Sequence, residues 1–112
     1  MKRLCLFLAL VSFSALAVAQ FPARPIKIVV TIPPGGAPDI TARLVGQKIS
    51  ESIGQPVVVE NRPGANGNTA AGEVARAPAD GYTLLLAADS LIAINPHLYA
   101  RMPLDTLKEL QP

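Results

Sequence analysis

Apolar and polar residues follow one another along the chain in blocks that predict the order strand, helix, strand, helix, strand. Residues 26–32 form a nearly continuous β-branched apolar run, which is typical of a strand buried on both faces. Shorter apolar runs at residues 57–59 and 82–87 predict two further strands. Helical spacing of apolar side chains over residues 38–52, and small residues over 70–75, predict the two helices between them. We therefore expect an α/β fold with a parallel sheet and right-handed crossovers.

The first predicted helix has signals at both ends and one predicted buried stripe. Pro38 suits the first helical turn, and Gly54 follows the last turn, where glycine commonly ends a helix. Ile40 and Leu44 lie off the stripe, which predicts a second buried contact near the start of the helix. The stripe itself consists of Ala42, Val45, Ile49 and Ile53.

The first nineteen residues have the pattern of an export signal. Lys2 and Arg3 precede an apolar stretch over residues 4–18, and Ala17-Val18-Ala19 is the small-x-small sequence that signal peptidase accepts. The apolar stretch is shorter than the roughly 20 residues of a spanning helix. We expect a signal peptide at residues 1–19, cleaved after Ala19, and a mature protein in the periplasm; the alternative is an uncleaved N-terminal anchor.

Charge and composition exclude several classes of function. Without the predicted signal, eight lysines and arginines stand against eight acidic residues, so the mature chain is neutral and has no basic surface for nucleic acid or anionic membranes. Cys5 is the only cysteine and His97 the only histidine, so we expect no disulfide, no metal site and no cofactor. The sequence lacks Gly-x-Gly-x-x-Gly and Gly-x-Ser-x-Gly motifs, which favours a non-enzymatic protein without catalytic residues over a nucleotide-dependent or hydrolytic α/β enzyme.

Three loops follow the predicted strands, at residues 33–39, 61–68 and 88–91. In a parallel sheet, ligands bind outside the carboxyl ends of the strands, which is where these loops meet. The first two loops lead into helix N-termini, whose free N–H groups and dipole favour an anion. The sequence therefore predicts a binding site for a small carboxylate.

Each of these loops also has a purely structural interpretation, which the sequence leaves open. Asp39 can bind the start of its own helix or pair with Arg43 one turn later. Asn66 or Asn68 can cap the second helix, and Asp89 can cap the segment after the third strand. The residue types alone do not separate these structural roles from ligand binding.

The residues in several segments also resemble a known family. Phe-Pro-Ala-Arg-Pro-Ile-Lys at residues 21–27, with Pro-Pro-Gly-Gly-Ala-Pro-Asp-Ile-Thr-Ala-Arg at residues 33–43, is similar to the start of the Bug family of extracytoplasmic solute receptors. These receptors are the substrate-binding proteins of tripartite tricarboxylate transporters. Residues 54–65, 80–85 and 93–99 are similar to the later signatures of the family, in the same order.

The resemblance implies a periplasmic-binding-protein type II fold, in which two α/β lobes close on a small organic anion and deliver it to a membrane permease. Residues 20–112 would form the opening βαβαβ portion of the first lobe, truncated before the second lobe. We therefore expect a monomeric receptor, not an enzyme, and we expect that residues 20–112 alone do not trap ligand. The alternatives are an α/β enzyme domain and a non-functional gene remnant.

The loops that hold the ligand in this family, carried over to this chain, indicate the candidate binding residues. The family usually has small residues and a threonine after the third strand, where this chain has Asp-Ser-Leu-Ile at residues 89–92. This difference leaves that part of the site, and the identity of the ligand, open. The candidate ligand-binding residues are Pro34, Gly35, Gly36, Ala37, Asp39, Asn66, Asn68 and Ser90.

Overall fold

The strands and helices of the structure follow the predicted order. The structure is a computed structural model that describes residues 21–111, so the predicted signal peptide lies outside the described residues. The strands are β1 (Ile26–Val30), β2 (Val57–Asn61) and β3 (Thr83–Leu86). The α-helices are α1 (Ala37–Ile53), α2 (Asn68–Ala75), and three single-turn helices, α3 (Ser90–Ala93), α4 (Asn95–Leu98) and α5 (Thr106–Glu109). A 3₁₀ turn (Ala65–Gly67) directly precedes α2. Among residues 21–111, no helix is both long and apolar enough to cross a membrane.

The three strands form one parallel sheet in the order β2–β1–β3, with the first strand at the centre. Ile28 of β1 lies opposite Val59 of β2 and Leu84 of β3. Val29 and Val30 have no exposed surface, as the continuous apolar run of β1 predicts. The expected α/β class with a parallel sheet is confirmed.

The core has one part on each face of the sheet. On one face, Ala42 of α1 packs against Ile28 and Val30. On the other face, Ala71 of α2 packs with Leu91 of α3 and with Leu104. Burial of one such Val or Leu side chain contributes about 1.5–3 kcal/mol. The central strand is therefore well anchored, and the loop that follows it starts from a fixed point.

The ends of α1 and part of its stripe agree with the prediction. Pro38 lies in the first turn, and Gly54 ends the helix in the left-handed conformation (φ 69°). Ala42 is buried and the two isoleucines of the stripe are half-buried, but the prediction for Val45 is wrong because its side chain is 46% exposed. Gly46 is buried instead, since a Cβ at that position would lie 3.1 Å from Cγ1 of Val57. Any side chain there would crowd Val57 of β2, so glycine allows the close approach of the helix to this strand.

Two further predictions about this region are wrong. Ile40 and Leu44 are 52% and 62% exposed, so the second buried contact of α1 is absent from the described residues. The sheet offers α1 only three strands, and Leu84 on β3 is itself 42% exposed. β1 also ends at Val30, two residues earlier than predicted, because the chain bends at Thr31 once the neighbouring strands end.

Candidate functional site

A cleft of about 170 Å³ lies at the carboxyl ends of the strands, where the three predicted loops meet. A water molecule takes about 30 Å³ of liquid, so the cleft has room for roughly five of them, or for one carboxylate group with its solvation. Every lining residue is neutral. The lining consists of Thr31, Ile32, Pro33, Pro63, Gly64, Asn66, Gly67, Ala88, Ser90 and Leu91.

The β1–α1 loop (residues 31–36) forms one wall of the cleft and is held by Asp39. The carboxylate of Asp39 accepts a hydrogen bond at Oδ2 from the Gly35 N–H (2.8 Å) and one at Oδ1 from Asn61 Nδ2 (2.9 Å). The Arg43 guanidinium lies 3.0 Å from the same Oδ1. Both oxygens are thereby engaged within the protein, and Asn61 also donates to the Ile32 carbonyl (3.0 Å). The predicted Asp39–Arg43 pair is present.

These donors also set the protonation of Asp39. The hydrogen bond from the Gly35 N–H is the largest cause that lowers the pKa of Asp39 from 3.8 to about 2, followed by the bonds from Arg43 and Asn61. Asp39 is 3% exposed, so its charge is largely covered by the loop that it binds. The other predicted residues of this loop lie beyond Pro33, outside the cleft lining: Pro34, Gly35 and Ala37 are exposed, and Gly36 is half-buried.

The β2–α2 loop (residues 62–67) forms the opposite wall and is held by amides. Asn66 lines the cleft, while Asn68 is 4% exposed and lies behind the lining. The prediction that one of these asparagines caps α2 is wrong, because Gly67 takes the N-cap position (φ 91°) without a side-chain cap bond. Both asparagines instead bond to the side chain of Asn95, which is fully buried.

The third part of the lining follows β3. Ser90 begins α3 and lines the cleft with Ala88, and Leu91 closes its base with only 1% exposure. The carboxylate of Asp89 accepts a hydrogen bond from the Ser90 N–H (2.9 Å), so the predicted cap is confirmed. Of the eight candidate residues, Asn66 and Ser90 are the two that line the cleft.

Eight of the ten lining residues were not among the candidates, and three residues at or behind the lining show why. Thr31 lines it because β1 ends early. Gly67 packs against Thr31 so closely that a Cβ on the glycine would lie 3.2 Å from the threonine Cβ. Asn95 supports the wall from behind, and the Asn-Pro pair that begins α4 was its only local signal. Within residues 21–111, no three acidic, histidine or cysteine side chains lie together as metal ligands would.

A network of four charged side chains ties the base of the β2–α2 loop to the sheet. Arg62 lies 3.0 Å from Glu60 and 3.1 Å from Glu73 of α2, and Lys27 of β1 lies 3.0 Å from Glu73. The bond to Glu73 raises the pKa of Lys27, and the same bond lowers the pKa of Glu73. All four side chains are partly exposed, so each pair contributes at most about 1 kcal/mol.

Open α/β sheets bind ligands outside the carboxyl ends of their strands, where this cleft lies. Comparison with known proteins identifies the family. The profile described as "Tripartite tricarboxylate transporter family receptor" (TctC) matches residues 41–112, more than half of the chain. The chain belongs to this family. The resemblance to the Bug family is confirmed as well. Protein BugT of Bordetella pertussis is 44% identical over 82% of this chain and 28% of its own length.

Other relatives match this chain with similar identity and coverage. A UPF0065 protein of Bordetella bronchiseptica is 44% identical over 90% of this chain and 30% of its own length. A solved structure of a periplasmic transporter is 47% identical, with a TM-score of 0.76, over 80% of this chain and 30% of its own. Rpa4515 of R. palustris, solved with adipate, is 40% identical, with a TM-score of 0.75, over 79% of this chain and 29% of its own.

MatC of Rhodopseudomonas palustris, solved with bound malate, is 43% identical with a TM-score of 0.56, over 58% of this chain and 22% of its own. The chain thus spans no more than about a third of the length of the relatives that it matches. It corresponds to part of a receptor fold, which confirms the expected resemblance to periplasmic solute-binding proteins.

Proposed function

We propose that the full-length protein is a receptor that binds a small organic dicarboxylate and delivers it to the membrane permease of a tripartite tricarboxylate transporter. The observation that carries this proposal is the neutral cleft at the carboxyl ends of three parallel strands, where open α/β sheets bind ligands. Membership of a receptor family favours this function over the α/β enzyme considered above.

The chemistry of the cleft favours a carboxylate held by neutral groups. Neither lysine nor arginine lines the cleft within the described residues, so backbone N–H groups and side chains such as that of Ser90 would be the donors. Adipate and malate, the ligands of two solved relatives, differ in length and in a hydroxyl group but both end in carboxylates. We propose that this shared carboxylate occupies the cleft.

The eight candidate residues take three roles in this proposal. Asn66 and Ser90 contact the carboxylate, because they line the cleft. Asp39 and Asn68 support the two loops, because their polar atoms bond within the protein. We propose that Pro34, Gly35, Gly36 and Ala37 form the rim that meets the second lobe, because they lie outside the cleft lining and three of them are exposed.

The size of the cleft indicates that it is one wall of the complete site. Small-molecule pockets measure about 300–1,000 Å³, against about 170 Å³ here. A second lobe would supply the remaining contacts, so we expect residues 20–112 alone to bind dicarboxylates weakly if at all. Receptors of this family are periplasmic; we propose that the signal at residues 1–19 exports this one and that it acts as a monomer.

Calorimetric titration of the full-length protein with malate and adipate tests the proposal. Ser90→Asp adds a negative charge to the cleft, whereas Ser52→Asp adds the same charge at an exposed position near the end of α1. We expect the wild type and Ser52→Asp to bind at least one of the two ligands alike. We expect Ser90→Asp to lose at least about tenfold in affinity, or about 1.4 kcal/mol. Equal affinity of the two variants, or a wild type that binds neither ligand, would falsify the proposal.

A further inference from the structure

Asn95 is a fully buried polar residue whose entire carboxamide is used on the β2–α2 loop and its helix. Its Oδ1 accepts a hydrogen bond from Asn66 Nδ2 (2.6 Å), and its Nδ2 donates to the Asn66 carbonyl (2.9 Å) and to Asn68 Oδ1 (2.9 Å). A backbone carbonyl can only accept, so it fixes which end of the amide faces the loop. Buried amides are costly unless paired, and here two of the three bonds go to Asn66 in the loop and the third to Asn68, the first residue of α2.

The loop that Asn95 binds has an unusual backbone. Ala65 (φ 46°), Asn66 (φ 52°) and Gly67 (φ 91°) are three successive left-handed residues, and Ala65 has no side chain that favours this conformation. Such a backbone persists only where the surroundings determine it. Asn95 holds both the side chain and the carbonyl of Asn66, the middle residue of the three.

The same three residues place the wall of the cleft, since Gly64, Asn66 and Gly67 line it. We infer that Asn95 is a positioning residue for ligand binding. It holds the β2–α2 loop in its left-handed turn before the ligand binds, so the binding free energy is not reduced by the cost of ordering the loop. This inference rests on the proposed function and adds a determinant of affinity that does not itself touch the cleft.

The test uses the full-length protein, with malate and adipate as calorimetric probes and thermal unfolding of the ligand-free protein in parallel. Asn95→Ala removes all three bonds. The control, Ile26→Ala, truncates a buried side chain at the opposite end of β1 from the cleft. We expect both variants to melt earlier than the wild type, but only Asn95→Ala to lose affinity, by about tenfold or more. A merely structural Asn95 would lower the melting temperature and leave the affinity of the folded protein unchanged.

A conservative variant sharpens the result. Asn95→Asp keeps the size of the side chain and its Oδ1 acceptor but turns the donor toward the Asn66 carbonyl into a second acceptor. Lowering the pH until the introduced carboxyl takes up a proton restores an O–H donor at that position. We expect the affinity of Asn95→Asp, relative to that of the wild type at the same pH, to recover as the pH falls. A constant ratio across the pH range contradicts the inference.

A ligand-free measurement separates this inference from the proposed function. In an Asn-Gly pair, the Gly67 nitrogen can attack Cγ of Asn66; an N–C bond forms, Nδ2 leaves as ammonia, and water opens the imide to aspartate or isoaspartate. Attack requires the side chain of Asn66 to leave Asn95 and the Gly67 N–H to leave the Gly64 carbonyl (3.0 Å). We expect mass spectrometry to show faster conversion in Asn95→Ala than in the wild type or Ile26→Ala. Equal rates overturn the inference even if no dicarboxylate binds.

Discussion

The β1–α1 loop and the β2–α2 loop line the same cleft, but different chemistry holds each of them. The first is bound by the ionised carboxylate of Asp39, which accepts hydrogen bonds from Gly35 and Asn61 and pairs with an exposed arginine. The second is bound by the neutral, fully buried carboxamide of Asn95. A charged support responds to pH, whereas an amide support does not. We therefore expect the stability of the two walls to respond differently to pH.

The glycines of the two loops show a second contrast. Gly35 and Gly67 both have a φ of 91°, so any other residue at either position meets a left-handed backbone penalty. Their surroundings differ. Among the described atoms, none lies within 4 Å of a Cβ added at Gly35, whereas a Cβ at Gly67 would lie 3.2 Å from both Cβ and Cγ2 of Thr31. One loop faces open space and the other is packed against the end of the central strand.

The largest expected effect comes from placing alanine at each glycine in the full-length protein. Gly35→Ala adds left-handed backbone strain, about 1–2 kcal/mol, and makes no close contact with the described residues. Gly67→Ala adds strain of the same kind and an overpacked contact worth about 1–3 kcal/mol, because the Cβ of Thr31 is fixed to the backbone and cannot swing away. Denaturant unfolding gives both free energies. Equal losses for the two variants would show that the β2–α2 loop is as loosely packed as the β1–α1 loop.

A smaller effect is expected from pH, and only on the β1–α1 loop. The pKa of Asp39 is about 2 in the folded protein and 3.8 ordinarily, so the folded state binds fewer protons in this range. The stability that this carboxylate contributes is complete above pH 3.8 and is lost as the pH falls toward 2. Asp39→Asn removes this contribution.

Unfolding of Asp39→Asn should thus show lower stability at neutral pH and a shallower decline on acidification than unfolding of the wild type. Asn61→Asp is not a suitable control because it touches the same carboxylate, but Glu51→Gln, on the exposed surface of α1, removes a carboxylate away from both loops. It should leave the acid decline between pH 3.8 and about 2 close to that of the wild type. Identical declines in Asp39→Asn and the wild type would mean that the charge of Asp39 does not hold the loop.

The two loops also differ in how much of them could be predicted from the sequence. In the β1–α1 region, local signals identified the ends of α1, at Pro38 and Gly54, and the pairing of Asp39 with Arg43 one turn away. The support of the β2–α2 loop was missed because Asn95 lies 29 residues from Asn66, and no local pattern indicates so distant a bond. Residues that lie far apart in the sequence and form a hydrogen bond only in the folded protein produce no periodic pattern from which the bond could be predicted.

Packing explains the other differences between expectation and structure. The helical period placed Val45 in the buried stripe of α1, but it is Gly46 that lies against Val57, where an added Cβ would be only 3.1 Å from Cγ1 of that valine. A hydrophobicity pattern counts a glycine as neutral, although its missing side chain is what permits the contact. The cleft could be predicted to lie at the carboxyl ends of the strands; which loop residues face it depends on turns such as the left-handed one at Asn66.

A crystal structure of the full-length protein with malate or adipate is the most direct measurement. We predict that one ligand carboxylate lies between the β1–α1 and β2–α2 loops, within hydrogen-bonding distance of Ser90 or of backbone N–H groups near Gly64 and Gly67. A ligand bound elsewhere, or a cleft filled by side chains of the remaining protein, would contradict this placement.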